Sequence, residues 1–140
     1  MKHAFLMIFV LLSGTLLYAK NKAPYTLSAQ MTVESSSLYE CAGLEFQFVN
    51  KAQKSVKSFT LNFFLSDEEG NAPNLISGCI SADIYCLVEP GETLEDILSL
   101  DEYFYSEIED VYLIEFLYVS KIIYEDDTVW EDRFGKYAVY

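Results

Sequence analysis

The stretch from Asp110 to Trp130, DVYLIEFLYVSKIIYEDDTVW, places the strongest constraint on what this chain can fold into. It is rich in β-branched and aromatic residues, which favour a pleated surface over a helix. Turn composition is confined to Glu125–Thr128, after which Val129 and Trp130 resume the strand pattern. The stretch therefore predicts a β-hairpin.

A turn centred on Asp126-Asp127 fixes how the two strands of this hairpin pair. The residue numbers of each cross-strand pair then add up to the same value. Tyr124 is therefore expected to pair with Val129, and Ile123 with Trp130. Because directly paired residues point to the same side of a sheet, Ile123 and Trp130 are expected to share one face.

The apolar alternation changes phase within the first strand of the hairpin. Burial of Ile114 and Phe116 makes the even-numbered positions face inward. Burial of Trp130 beside Ile123 makes the odd-numbered positions face inward. One inserted residue, a β-bulge, switches the inward-facing set. We expect this bulge at Ser120-Lys121, the least apolar point between the two regions.

A bulge at that position leaves Leu113, Leu117 and Val119 on the opposite face from Ile114 and Phe116. A strand with two apolar faces needs two covers, and the core supplies one. Exposed apolar patches usually mark interaction sites. We therefore expect the three residues to form a surface for a partner protein or a second copy, unless the chain's own terminal segments cover it.

The first twenty residues, MKHAFLMIFVLLSGTLLYAK, have the composition of a secretory signal peptide. A basic start precedes the apolar run Ala4–Leu12, and small residues lead to an expected cleavage site after Ala19. Ser13–Thr15 interrupts the run before the roughly 18 residues that a membrane span needs. We expect residues 1–19 to be removed and residues 20–140 to reach the periplasm or the exterior of the cell without a membrane span.

The charge of the mature chain restricts its partners. Residues 20–140 have the length of one domain, and loss of Lys2 leaves eight basic and 22 acidic side chains, a net charge of −14. Nucleic acids and anionic membrane surfaces are disfavoured, because both require clustered lysine and arginine. The charge favours a cationic partner or serves only to keep the surface soluble.

The chemistry of the mature chain is restricted as well. The only histidine, His3, lies in the expected signal peptide, which excludes Ser-His-Asp and Cys-His catalysis and histidine-bearing zinc sites. No cofactor is expected. Carboxylates are abundant, and Glu115, in a strongly apolar strand, is the one candidate for a perturbed pKa. Asp67–Asn71 and Glu125–Asp127 offer oxygen ligands for Ca²⁺ without the spacing of an EF-hand loop.

Three cysteines remain in the mature chain, Cys41, Cys79 and Cys86, so at most one disulfide forms within it. In one straight strand Cys79 and Cys86 would lie roughly 23 Å apart, too far to bridge. A turn at Ser81–Asp83 would bring them together, and this pair is the leading expectation. There are two alternatives. Cys41 could pair with either of the other cysteines, or all three could remain reduced.

Alternating patterns and turn residues predict strands along the rest of the chain. They lie at Tyr25–Glu34, Leu44–Phe48 and Lys57–Ser66, as one or two strands in Cys79–Val88, in Thr93–Leu100 with a helical turn near Asp101–Tyr105, and at Tyr137–Tyr140. Seven or eight short strands without a long amphipathic helix predict an all-β fold, an immunoglobulin-like antiparallel sandwich.

Part of this pattern resembles a known family. Leu44–Asn50, Val56–Phe63, Asp67 and Gly70 resemble the strand, Asn-turn, strand and Asp/Gly-turn layout of FxLYD-type domains and related fibronectin-like modules of bacterial exported proteins. The predicted hairpin resembles their terminal hairpin, which usually turns on Asp-Gly, and here Asp127 stands at the glycine position. The resemblance implies export and an immunoglobulin-like fold, and it carries no catalytic residue.

These observations predict a non-enzymatic exported module that acts by binding a protein or another ligand. The alternative is a carbohydrate-active enzyme or accessory domain that uses paired carboxylates. A glycan array distinguishes the two, because hydrolysis consumes a ligand that binding leaves intact.

Overall fold

Seven β-strands and one 3₁₀ turn form the regular structure of the described residues. The computed structural model describes residues 22–35, 40–106, 108 and 110–140, and the expected signal peptide, residues 1–19, lies outside them. The elements are β1 (Tyr25–Ser35), β2 (Glu40–Asn50), β3 (Val56–Ser66), β4 (Ile80–Val88), β5 (Thr93–Ser99), the 3₁₀ turn (Asp101–Tyr103), β6 (Leu113–Tyr124) and β7 (Val129–Glu131).

The strands form two antiparallel sheets, one in the order β1-β2-β5 and the other in the order β4-β3-β6-β7. The predicted all-β fold with two antiparallel sheets is therefore confirmed. Among the described residues, no helix has the length and apolar character needed to cross a membrane.

Aromatic rings from the two sheets meet in the core between them. Phe48 of β2 stacks on Phe59 of β3 with ring centroids 4.2 Å apart, and Phe46 meets Phe59 edge-on at 6.1 Å. Such pairs contribute about 0.5–1.5 kcal/mol each beyond their buried area. The residues Phe46, Phe48, Phe59, Leu61 and Phe63 are fully or nearly fully buried. Ile114 and Trp130, which the sequence predicts to be buried, are half-buried against the edge of the core.

One β-bulge in β6 lies at the position predicted from the sequence. Thr60 of β3 pairs with Lys121, whereas the next residue, Leu61, pairs with Val119. Ser120 is therefore the extra residue of a bulge, and the expected change of phase at Ser120-Lys121 is confirmed.

A second irregularity in β6 was not expected. Phe116 and Leu117 both lie opposite Phe63 of β3, two residues against one. Phe116 has φ of +51°, a left-handed conformation that bulky side chains rarely adopt and that costs on the order of 1–3 kcal/mol. The alternation between inward-facing and outward-facing residues in β6 therefore changes phase twice, first at Phe116-Leu117 and again at Ser120.

The second bulge overturns the surface expected from the sequence. Leu117 and Val119 are 3% and 0% exposed and belong to the core, whereas Leu113 is 55% exposed. The three residues therefore do not share a face. Phe116, expected in the core, instead projects from the outer side of the sheet, because its backbone conformation places it out of phase with its neighbours.

The hairpin forms, but its register differs by one residue from the prediction. Ile122 pairs with Trp130, and Ile123 pairs with Val129. Ile123 and Trp130 consequently do not share a face. The difference arises because the turn consists of three residues, Glu125–Asp127, and is centred on Asp126. The prediction had centred the turn between Asp126 and Asp127.

The turn is the three-residue type in which a left-handed residue closes a β-turn. The Asp127 backbone N–H donates to the Tyr124 carbonyl at 3.0 Å, and the Tyr124 N–H donates to the Thr128 carbonyl at 2.9 Å. Asp127 has φ of +65°. It occupies the position where glycine is usual, and aspartate is among the residues that tolerate this conformation.

The expected disulfide between Cys79 and Cys86 is wrong. Cys79 immediately precedes β4 and Cys86 lies within it, and β4 is one continuous strand, Ile80–Val88, paired with β3. Seven residues of extended chain span roughly 23 Å, far beyond disulfide reach. All three cysteines, Cys41 included, are thiols. Burial raises the pKa of Cys86 to about 11 and also raises that of Cys79.

The expected terminal strand Tyr137–Tyr140 is reduced to one bridge. Val139 and Leu117 exchange two backbone hydrogen bonds, of 2.9 and 3.0 Å. After β7 the chain first turns away, because the buried Asp132 carboxylate accepts hydrogen bonds from the backbone N–H groups of Lys136 and the next residue at 3.0 and 3.1 Å. We call residues 132–138 the C-terminal turn.

Tyr25 joins the two sheets through a hydrogen bond as well as through packing. The backbone N–H of Val119 donates to the Tyr25 hydroxyl oxygen at 3.0 Å, and the Tyr25 side chain is buried. Burial raises the pKa of Tyr25 to about 12, although the hydrogen bond from Val119 acts in the opposite direction.

Tyr25→Phe is expected to cost about 1–3 kcal/mol at pH 7, because it leaves the Val119 N–H without a partner. The raised pKa predicts in addition that wild type loses roughly 2 kcal/mol as the pH rises from 10 to 12, since only the unfolded tyrosine ionises there. The variant should lack this part of the pH dependence. Urea titrations from pH 7 to 11.5 measure both effects, with the exposed Tyr140→Phe as control. Parallel stability curves for wild type and Tyr25→Phe would contradict the prediction.

Candidate protein-binding site

An aromatic cluster lies on the outer face of the four-stranded sheet. Its members are Phe64, Phe116, Tyr118 and Tyr140. Phe116 is at its centre, with ring-centroid distances of 6.2 Å to Phe64, 5.4 Å to Tyr118 and 5.8 Å to Tyr140. Phe64 is 39% exposed and Tyr140 is 92% exposed. The cluster therefore presents apolar surface to solvent.

The C-terminal turn packs against this cluster at Gly135. A Cβ atom built on Gly135 would lie 2.6 Å from Cε1 of Phe116 and 3.2 Å from Cδ1 of Tyr118. Gly135 also has φ of +66°, so any other residue would be both strained and in collision with the rings. Only glycine allows the turn to approach the cluster this closely.

Beside the cluster, part of the edge of β6 has no neighbouring strand among the described residues. β6 contains 12 residues, but β7 pairs only with Lys121–Ile123, and Val139 adds one bridge at Leu117. Within the described ranges, Leu113–Glu115 pair with β3, and no backbone hydrogen bond is formed on the other side of the stretch Leu113–Phe116. We call this stretch the open edge. Unpaired N–H and C=O groups of this kind are a template for another extended chain.

The side chains of the open edge itself are apolar with one exception. Leu113 is 55% exposed, and Val111, two residues before it, is 63% exposed. Glu115 is the one charged side chain in the stretch and faces solvent. Proteins usually protect such edges with several charges or with proline, so this edge is little protected against pairing.

The carboxylates suggested by the sequence for other chemistry have structural roles. The Asp67 carboxylate accepts hydrogen bonds from the backbone N–H groups of Glu69 and Asn71 at 3.0 and 2.7 Å, and the bonds from Asn71 lower its pKa. Asp126 bonds to Lys54 at 2.8 Å, and this contact is the main reason that its pKa falls to about 2. Neither group has the raised pKa that a general acid needs.

Metal coordination finds no support in the described parts of the chain, where no three side chains of His, Cys, Asp or Glu are grouped so as to hold an ion. The oxygens of Asp67 that the sequence offers to Ca²⁺ are occupied by the hydrogen bonds of their own loop.

The sequence predicted only part of this candidate site. Of the three predicted surface residues, Leu113 is exposed in the structure, whereas Leu117 and Val119 are buried in the core. Phe64 was missed although a signal existed, because it follows the buried Phe63 directly and so must point outward. The contact of Tyr140 with the cluster had no local signal, since it depends on the bridge at Leu117.

Comparison with known proteins identifies a shared fold. No family model matches the chain, and no curated protein has significant similarity to it. The chain is similar to a solved structure of a hypothetical protein from Peptoclostridium difficile 630, with a TM-score of 0.58 and 10% sequence identity over 80% of this chain and 88% of the other. At this identity the similarity concerns the fold alone.

Proposed function

We propose that this protein is an exported, non-enzymatic binding module with an immunoglobulin-like fold that recognises an extended segment of a partner protein. The observation that carries the proposal is the open edge of β6 beside the aromatic cluster. Export is inferred from the signal-peptide composition of residues 1–19.

The strand order supports the immunoglobulin-like part of the proposal. In such sandwiches the first, second and fifth strands share one sheet, and the third, sixth and seventh strands share the other. The same division occurs here. The fourth strand pairs with the third, whereas in the constant-type immunoglobulin domain it pairs with the fifth.

The binding mode that fits this geometry is strand addition. An extended segment would pair its backbone with the open edge, and its alternate side chains would contact Leu113 and the aromatic cluster. Backbone pairing provides affinity, and the rings provide selectivity for apolar side chains. The net charge of −14 expected for residues 20–140 favours segments that also carry lysine or arginine, because it steers cationic chains towards the protein.

A peptide-display selection against the purified protein tests this function. We expect extended peptides with alternating apolar residues to be enriched, and Leu113→Lys to weaken their binding by about tenfold or more, since a charge on an edge opposes pairing. Ile97→Lys is the matched control, because Ile97 is 60% exposed on β5 of the other sheet. Both variants should keep the wild-type urea midpoint.

Two outcomes would refute the proposed binding mode. Equal weakening by Leu113→Lys and Ile97→Lys would show that the added charge acts through the whole surface. Selection of peptides whose binding ignores Leu113→Lys would place their site elsewhere.

A further inference from the structure

Three lysine residues line one cavity on this strongly acidic protein. Lys22 precedes β1, Lys51 follows β2, and Lys136 belongs to the C-terminal turn. Tyr25 and Tyr137 are also among the residues that line this cavity. The lysines are far apart in the sequence, so the fold alone brings them together.

Within the described part of the chain these lysines have no carboxylate partners, whereas three of the other four described cations do. Among the described residues, ion pairs involve Lys54, Lys57 and Arg133, and none involves the three cavity lysines. The side chains that line the cavity include no Asp or Glu. The absence of neutralisation is notable because the sequence carries 22 acidic and nine basic residues.

One carboxylate, Asp132, belongs to the same region but does not pair with the ammonium groups. It is buried, and its two oxygens accept hydrogen bonds from the backbone N–H groups of Lys136 and Tyr137. Its function is to hold the C-terminal turn, and it offsets part of the positive charge of the cavity.

The backbone that carries the cavity is fixed by the fold. The Lys51 N–H donates to the Pro24 carbonyl at 2.9 Å, which joins the end of β2 to the start of β1. Tyr137 packs on Trp130 with ring centroids 6.0 Å apart, and Nζ of Lys136 lies 5.3 Å from the centroid of the Tyr137 ring. The cavity therefore has a preformed aromatic wall with cations around it.

We propose that this cavity binds a small soluble molecule that bears phosphate groups. None of the three lysines forms an ion pair within the described residues, so a multiply charged anion bound in the cavity would be attracted by all three. Lysine binds phosphate as a point charge with three N–H donors, without the fixed two-pronged geometry of arginine. Selection should therefore follow ligand charge, and the half-buried Tyr137 ring would contact the organic part of the ligand.

Calorimetric titration of the purified chain with pyrophosphate at low ionic strength tests the site. We expect one binding site per chain, weaker binding of orthophosphate, and an affinity that falls as salt is added. Lys51→Gln and Lys136→Gln should each lower the affinity for pyrophosphate by about tenfold. Lys121→Gln is the matched control, because it removes the same charge from an exposed lysine of β6 outside the cavity.

The source of the phosphate group is tested with phosphatidylglycerol vesicles. The acidic surface should repel them, so we expect no sedimentation of the protein with vesicles under conditions in which pyrophosphate binds. Sedimentation with vesicles in the absence of pyrophosphate binding would overturn the proposal. An equal loss of affinity in Lys121→Gln, or no heat of binding with pyrophosphate, would also overturn it. Leu113→Lys should leave pyrophosphate binding unchanged, which separates this site from the open edge.

Discussion

Leu117→Glu is expected to unfold the protein, whereas Leu113→Glu is expected to leave it folded. The two changes are chemically identical and lie four residues apart on β6, but Leu117 is 3% exposed and Leu113 is 55% exposed. An unpaired buried carboxylate costs about 3–5 kcal/mol, and the lost packing of the leucine adds to that. The total destabilisation approaches the free energy of unfolding of an ordinary domain, which is about 5–15 kcal/mol.

Circular dichroism and urea titration of the two single variants measure this difference. A strand with one unbroken alternation would place positions 113 and 117 on the same face and give the two variants similar stability. Similar urea midpoints would therefore show that the bulge at Phe116 is absent in solution. The sequence pattern placed Leu117 with Leu113 on one face outside the core, and the structure reverses that expectation for Leu117.

Asn50→Leu is expected to destabilise the protein by about 3 kcal/mol or more, because it leaves several buried polar groups without partners. The Asn50 side chain is fully buried. Its Nδ2 donates to the carbonyls of Lys54 and Val88 at 2.8 and 2.9 Å, and its Oδ1 accepts from the Ala52 N–H at 2.9 Å. These bonds join the loop between β2 and β3 to the end of β4.

Asn74→Leu is the matched control for Asn50→Leu, since Asn74 is an exposed asparagine in a loop. Its free energy of unfolding should stay within about 0.5 kcal/mol of wild type. Urea titration gives both values. If Asn50→Leu proves as stable as Asn74→Leu, the buried hydrogen bonds of Asn50 contribute nothing net, and the apolar replacement compensates for their loss.

The strands that sequence patterns predicted well are those whose alternation continues without interruption. β3 shows this best, because Phe59, Leu61 and Phe63 follow period two and are all buried. In β6 the same rule failed at Phe116. A bulge is decided by the pairing with β3 and by the rings around it, and neither is encoded in the local alternation of apolar residues.

The candidate sites were less predictable than the fold, because they depend on contacts between distant parts of the chain. The open edge exists only because β7 is short and Val139 returns to Leu117. The hairpin register depends on a left-handed Asp127, which composition alone does not distinguish from an ordinary turn aspartate. The charge of the whole chain, which is strongly acidic, concealed the local cluster of Lys22, Lys51 and Lys136.

The two bulges of β6 have a consequence for how this chain is aligned with its evolutionary relatives. Each bulge is a one-residue insertion that the sheet absorbs inside a strand, at Phe116-Leu117 and at Ser120, instead of in a connecting loop. Relatives that lack one bulge would be one residue shorter within β6 itself. An alignment that confines gaps to loops would then exchange inward-facing and outward-facing positions along part of the strand, and the buried Leu117 would be matched to a solvent-facing residue.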